Sequence, residues 1–210
     1  MPRPDRSRGT SDRAAKVAKI QKAGAAAERR RGGLLWGGVG VVLVLLVGLV
    51  TWAVIADSPA MADLSDVEEY EHTSQLHTFE AVEYDMTPPV GGEHHPTWFN
   101  CGVYQHELPK EHVVHSLEHG AVWLSYQPDL PADQVALLEK LGEQEYLMVS
   151  PIAAQEDPVV ATSWDTQLRL DSAEERTLQA FIREYKQGPK TPEPGGLCSN
   201  GTTIDLVPRG

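Results

Sequence analysis

Residues 113–126, VVHSLEHGAVWLSY, decide the fold, because a histidine motif there runs directly into an apolar stretch. Residues 121–126 are short, apolar and aromatic, which is typical of a buried β-strand. Gly120 separates this strand from His115 and His119, which are four residues apart. That spacing puts two side chains on the same side of a helix and also of a strand. The two imidazoles are therefore predicted to converge whichever structure the segment takes.

The residues after this strand predict an α+β domain. Residues 131–142 begin with Pro, end with Gly and carry apolar side chains at helical spacing, which predicts a short helix. Residues 146–150 and 159–164 predict two further strands. A capping box formed by Ser172 and Glu175 predicts the start of a second helix. From the order of these elements we expect a largely antiparallel sheet with two helices on one face.

Upstream of the domain, residues 34–56 form an uncharged run of 23 residues. As a helix, this run is long enough to cross the ~30 Å hydrocarbon core of a bilayer. Residues 1–33 carry a net charge of +7 and the rest of the chain −19, within a total of −12. Because basic flanks stay cytoplasmic, the sequence predicts a single-pass plasma-membrane protein with a cytoplasmic N-terminus and an extracytoplasmic C-terminal domain. A cleavable signal peptide is the alternative interpretation of the same run.

The composition divides the chain into five segments. Residues 1–33 predict a disordered basic cytoplasmic segment, and residues 34–56 predict the transmembrane helix. Residues 57–75 form an acidic stalk, and residues 76–205 form one extracytoplasmic domain of ordinary size. Residues 206–210, LVPRG, look like a protease site left by an affinity tag. The strongly acidic domain argues against nucleic acid as a partner.

Cys101 and Cys198 are the two cysteines of the chain. In an oxidising compartment such a pair is expected to form a disulfide. The bridge would pin the Pro- and Gly-rich tail back onto the histidine region. The alternative is that both are thiolate ligands of a metal that the histidines also bind.

The histidines themselves form the candidate site, since all eight lie in the segment 72–119 and imidazole is the commonest metal ligand in proteins. His94 follows a Pro-Pro-Val-Gly-Gly turn that could fold it over the His115/His119 pair. Glu118 joins that pair only if the segment is helical. Three imidazoles, with or without a carboxylate, suit copper or zinc. The alternative is a hydrogen-bonded network that fixes the fold around the Pro-Pro turn.

Residues 115–119 also fit the His-x-x-Glu-His pattern of inverted zinc peptidases. In such a site both histidines bind zinc, and Glu118 would be the general base for a bound water. The motif ends at Gly120 and runs straight into a strand, so a metal-binding protein without enzymatic activity is the favoured interpretation. A further hypothesis is an accessory subunit or assembly factor of a larger membrane complex, in which the histidines are structural.

Several blocks of the sequence resemble a known family. They are residues 88–94 (PPVGGEH), 102–104 (GVY), 114–120 (VHSLEHG), 160–164 (VATSW) and 192–193 (PE). They resemble the domain of unknown function numbered 3105, whose members are membrane-anchored extracytoplasmic proteins of actinobacteria and some other prokaryotes. The resemblance implies a histidine site at His94, His115 and His119, with His77 added, and it implies no assigned activity. Family members often stand in the genome near small His- and Met-rich proteins linked to copper, which favours copper over zinc.

Overall fold

The computed structural model describes residues 40, 42–52, 64–71 and 74–208. The chain divides into two compact units, Met1–Ser58 and Pro59–Gly210. Most of the first unit, including residues 1–39, lies outside the described residues. The predicted disordered basic segment, residues 1–33, lies outside the described residues, as do residues 209–210 of the tag remnant predicted at 206–210.

In the first unit, residues 42–52 are helical. These eleven described residues rise about 16 Å, roughly half of the ~30 Å hydrocarbon core. Among the residues that the structure describes, no helix has the length and apolar character that crossing a membrane requires. This finding overturns the predicted transmembrane helix over 34–56 and, with it, the predicted single-pass localisation in the plasma membrane.

The second unit is built on a six-stranded sheet with the order β1-β6-β5-β3-β4-β2. The strands are β1 (Glu68–Glu69), β2 (Gly102–Val103), β3 (Val122–Tyr126), β4 (Leu147–Pro151), β5 (Val159–Ser163) and β6 (Thr166–Leu170). The pairs β2·β4 and β3·β4 are parallel, whereas β1·β6, β3·β5 and β5·β6 are antiparallel. The prediction of a largely antiparallel sheet is therefore wrong, and the sheet is mixed.

The parallel pairing has a local cause in the chain order. The helix that follows β3 carries the chain back to the starting end of the sheet, so β4 runs in the same direction as β3. Val122 pairs with Leu147 and Tyr126 with Pro151 in this parallel register.

Within the described residues of this unit, three segments are helices: α1 (Lys110–Glu118), α2 (Ala132–Gly142) and α3 (Glu175–Tyr185). Pro131 precedes α2 at the N-cap position. The N-cap of α3 is Glu174 and no side chain caps it, so the predicted capping box at Ser172 does not form. The sequence left α1 open between helix and strand, and the structure makes it a helix.

The strand β6 was missed by the sequence analysis, which ended the last strand at Trp164. Ser163 pairs with Thr166, so a two-residue turn joins β5 to β6. Asp165 in this turn has φ +53°, a left-handed conformation that Asp adopts more readily than most residues. The hairpin then carries β6 back along β5.

The two faces of the sheet carry separate apolar clusters. Along β3, Val122 and Leu124 belong to a cluster with side chains of α2 and α3, while Trp123 belongs to a cluster with Val114 and Leu117 of α1. Neighbouring residues of a strand point to opposite faces. The two helices expected from the sequence, α2 and α3, pack on one face. The predicted architecture is incomplete, because it lacks α1 on the opposite face.

Gly120, between α1 and β3, provides a test of this packing. Its φ is +90°, and a Cβ there would lie 2.5 Å from the Gln187 side chain and 3.0 Å from the Gln187 Cα. We expect Gly120→Ala to lower the free energy of unfolding by about 2–4 kcal/mol, from backbone strain and from the clash together. Urea denaturation followed by circular dichroism measures the loss.

Gly195→Ala is the matched control, because Gly195 has a similar φ of +84° with no atom within 4 Å of an added Cβ. That variant should lose only the cost of the backbone conformation, about 1 kcal/mol. An equal loss in both variants would contradict the role assigned to the contact with Gln187.

Candidate metal centre

The helix α1 carries most of the candidate ligands and is buried on all sides. Every residue from Glu111 to Gly120 is buried, including His112, His115, Glu118 and His119. Its apolar side chains face the sheet, so its polar side chains point toward the loops that cover it. Because buried polar groups need partners, the contacts of these side chains define the site.

The first covering segment is the loop that contains His77 and His94. The Thr78 N–H donates to the His94 carbonyl at 2.8 Å, and the His94 N–H donates to the Leu76 carbonyl at 3.1 Å. These two bonds form an isolated parallel bridge that sets His77 beside His94.

The Pro-Pro turn before His94 is tied to the last hairpin of the sheet. The Gln167 side chain donates to the Pro88 carbonyl at 3.1 Å, and the Asp165 N–H donates to the Val90 carbonyl at 2.8 Å. The sheet therefore fixes where the chain turns before it enters the site.

The second covering segment is the C-terminal tail. Cys101 and Cys198 form a disulfide, with their Cα atoms 5.3 Å apart, so neither is free to be a thiolate ligand. The Cys101 N–H also donates to the Cys198 carbonyl at 2.8 Å, and the Glu193 N–H donates to the Glu118 carbonyl at 3.0 Å. The disulfide thus holds the tail against the C-terminal end of α1.

Four of the buried histidines, His112 and three candidate ligands, contact a backbone carbonyl through Nδ1. The Nδ1 atoms of His94, His115 and His119 lie 2.8, 2.7 and 2.6 Å from backbone carbonyl oxygens. The accepting carbonyls belong to Gly92, His95 and Leu197, in the same order. A carbonyl oxygen can only accept, so each Nδ1 carries the proton. The Nε2 atom of each ring, when neutral, is then a bare lone pair.

These Nε2 lone pairs face other acceptors. His94 Nε2 lies 2.9 Å from Glu118 Oε2, and His115 Nε2 lies 3.1 Å from His119 Nε2. His77 Nε2 lies 3.8 Å from the same Glu118 oxygen. Acceptors at such distances repel unless a positive charge, either a proton or a metal ion, lies between them.

His112 and His95 differ from the candidate ligands, because each has a ring nitrogen that accepts a backbone N–H. His112 Nδ1 donates to the Thr97 carbonyl at 2.6 Å, and its Nε2 accepts from the Leu206 N–H at 3.1 Å. His95 Nδ1 accepts from the Thr97 N–H at 3.0 Å. These two imidazoles hold the loop and the tail against α1.

Burial and charge set the protonation of the central groups. The pKa of His115 is lowered to about 4, mainly by burial and also by the neighbouring rings of His94, His119 and His77. The hydrogen bond to the His95 carbonyl raises the pKa and offsets part of this effect. Burial would raise the pKa of Glu118, but the hydrogen bond with His94 and the nearby imidazoles outweigh it and lower that pKa. At neutral pH the site therefore holds a neutral His115 and an ionised Glu118.

The candidate ligands fall into two groups. Within each group one ligand atom per residue lies within 4.8 Å of the others. The inner group is His77, His94, His115 and Glu118. The outer group is His115, His119 and Glu193. The five residues predicted from the sequence therefore lie in these two groups, which share His115. His119 belongs to the outer group with Glu193 of the tail.

Glu193 was missed by the sequence analysis. It lies in a Pro- and Gly-rich segment with no periodicity, and its carboxylate is 3.4 Å from His119 Nε2. The predicted disulfide is the sequence feature that could have indicated Glu193. A bridge between Cys101 and Cys198 places the residues just before Cys198 close to the histidines.

A family model described as a protein of unknown function (DUF3105) matches residues 75–200. The chain belongs to this family. The match spans the loop, α1, the strands β2 to β6 and the tail up to the disulfide, and it leaves out β1. Among curated proteins and among solved structures, no match was found.

The neutral state of His115 predicts how stability depends on pH. In the unfolded chain this imidazole takes up a proton near its ordinary pKa of 6.5, but in the folded protein only near 4. Between these values the unfolded state binds more protons, so the free energy of unfolding falls as the pH falls. We expect the metal-free protein to lose stability between pH 7 and pH 5, measured by urea denaturation at each pH.

The His115→Gln variant is the control, because it keeps a polar side chain that does not titrate. Its loss of stability between pH 7 and pH 5 should be smaller than that of the native protein. This window lies above the ordinary pKa of 4.5 for Glu118, so the carboxylate does not contribute. Parallel curves for the two proteins would contradict the assignment.

Proposed function

We propose that this protein binds one transition metal ion, copper or zinc, through the inner group. His94 Nε2, His115 Nε2 and Glu118 Oε2 are the three buried ligands, and His77 Nε2 is the fourth. The observation that carries the proposal is the shared orientation of two buried imidazoles. His94 and His115 each direct Nδ1 at a carbonyl, which leaves Nε2 of the neutral ring for coordination, and one ligand atom of each lies within 4.8 Å of the others in the inner group. Metal-binding histidines in proteins are oriented in this way.

The spacing of the donor atoms supports the proposal. Ligands about 2.0–2.1 Å from a zinc ion stand about 3.3 Å apart at the corners of a tetrahedron. The His94–Glu118 and His77–Glu118 separations of 2.9 and 3.8 Å lie on either side of this value. Small rotations of the side chains would therefore complete the coordination without movement of the backbone.

The donor types restrict the ion. The group offers imidazole nitrogens and one carboxylate oxygen, and both cysteines are held in the disulfide. Soft thiolate and thioether donors select Cu(I), whereas imidazole and carboxylate donors suit Zn(II) and Cu(II). A divalent cation would also compensate the buried charge of Glu118. We therefore propose the divalent ion, with binding or transfer of that ion as the function.

The test is metal binding by the full chain purified without a histidine tag or chelator. We expect about one equivalent of Zn(II) or Cu(II) by elemental analysis. Metal at 100 times its dissociation constant should add about 2.7 kcal/mol to the free energy of unfolding. The spectrum of bound Cu(II) in electron paramagnetic resonance should show nitrogen coupling.

His77→Gln is the most informative variant, because the His77 side chain is 45% exposed and its loss should leave the fold intact. We expect the dissociation constant to rise at least about tenfold. His106→Gln, at another exposed histidine outside both groups, is the matched control and should bind as the native protein does. Absence of metal from native protein that is folded, with no thermal shift on titration, would refute the proposal.

The zinc peptidase remains a second candidate because of the outer group. His115, His119 and Glu193 supply the two histidines and the later Glu that this class requires. Against it, Glu118, which would be the general base, is 3% exposed and is directed at His94 and His77. A Glu118→Gln variant separates the two candidates. In a peptidase it would retain zinc and lose hydrolysis of casein or a mixed peptide substrate, whereas for the inner site it should weaken metal binding.

A further inference from the structure

The outer group is not used by the site proposed above, apart from His115. His119 Nε2 lies 3.1 Å from His115 Nε2 and 3.4 Å from Glu193 Oε2. The Glu193 side chain is 57% exposed, whereas that of Glu118 is 3% exposed. The outer group is therefore a set of three donors that begins at the surface and ends at a buried ligand of the inner group.

His115 can bind only one ion at a time. Its Nδ1 is occupied by the proton that it donates to the His95 carbonyl, so Nε2 is the single lone pair available for coordination. An ion in the outer group and an ion in the inner group would both need this lone pair. The two positions therefore exclude each other, because they share His115 Nε2 as a ligand.

The tail holds His119 in the orientation that the outer position requires. The Leu197 carbonyl accepts its Nδ1–H at 2.6 Å. Gly196 packs so closely that an added Cβ would lie 2.6 Å from the imidazole ring. With the disulfide at Cys198, the tail orients this ring as firmly as the loops orient the rings of the inner group.

We infer that the outer group is a transit position for the metal ion, through which a divalent ion enters and leaves the inner site. The inference rests on the proposed function. Glu193 meets the hydrated ion at the surface, and His119 and His115 replace its water ligands. The ion then exchanges Glu193 and His119 for His94 and Glu118 while it stays bound to His115. No bond is broken except the coordinate bonds that are exchanged.

A transit position affects rates rather than affinity. Removing it raises the barrier for entry and for exit by the same amount, because both directions cross the same position. Clefts lined by one sign of charge speed the association of oppositely charged ligands by about 10–10³, and Glu193 is the carboxylate of the outer group that is exposed to solvent. We therefore expect the Glu193→Gln variant to bind and release metal about tenfold more slowly, with less than a twofold change in the dissociation constant and one ion per chain.

The experiment measures Cu(II) binding to the full chain by stopped-flow quenching of tryptophan fluorescence, and its release into excess chelator. Trp98 lies 5.0 Å from the His119 ring and Trp164 lies 5.9 Å from the His94 ring, so both positions are close to a fluorophore. Glu184→Gln, at an exposed carboxylate on α3, is the matched control. Both of its rate constants should equal those of the native protein.

Each other outcome overturns the inference in a distinct way. Unchanged rates in Glu193→Gln, with metal still bound, would refute the transit position and leave the proposed function standing. A dissociation constant raised tenfold or more would make Glu193 a ligand of the resting site. Two ions per chain would refute the mutual exclusion at His115. No metal on the native protein would refute the proposed function itself.

Discussion

The arrangement of the site depends on the hydrogen bonds from imidazole Nδ1 to backbone carbonyls. These carbonyls belong to Gly92, His95 and Leu197, which lie in the loop before α1 and in the tail after α3. Each bond fixes the position of a proton as well as the direction of a ring. The buried helix α1 can carry several polar side chains because their hydrogen-bond acceptors are held in place by two segments. One segment precedes α1 in the sequence and the other follows α3.

The sheet provides that placement. Its strand β3 sends Val122 and Leu124 toward α2 and α3 and Trp123 toward α1, so the two faces are packed independently. The hairpin of β5 and β6 then anchors the Pro-Pro turn. The apolar side of α1 packs on the sheet, so its polar side is available for the histidines. We propose that this division allows metal to be bound without disturbing the core.

Some features were open to prediction and were judged wrongly. The order strand, helix, strand predicts a parallel pair as readily as an antiparallel one, since a helical crossover returns the chain to the same end of the sheet. The strand Thr166–Leu170 was missed because the turn at Asp165 lacks Gly or Pro. The apolar run at 34–56 has the composition of a transmembrane helix, but among the residues that the structure describes no helix is long and apolar enough to cross a membrane.

By itself the sequence determined that His115 and His119 would share one side of their segment, because a spacing of four residues has this effect on a helix and on a strand alike. It predicted a disulfide between Cys101 and Cys198, the two cysteines of the chain, but the structure decided between the disulfide and thiolate ligands. Only the tertiary structure decided which nitrogen of each imidazole is free, because that depends on carbonyls distant in the chain. It also decided that Glu193 lies at His119, since a carboxylate in an aperiodic tail is placed by the disulfide and the backbone bonds around it and by no local pattern.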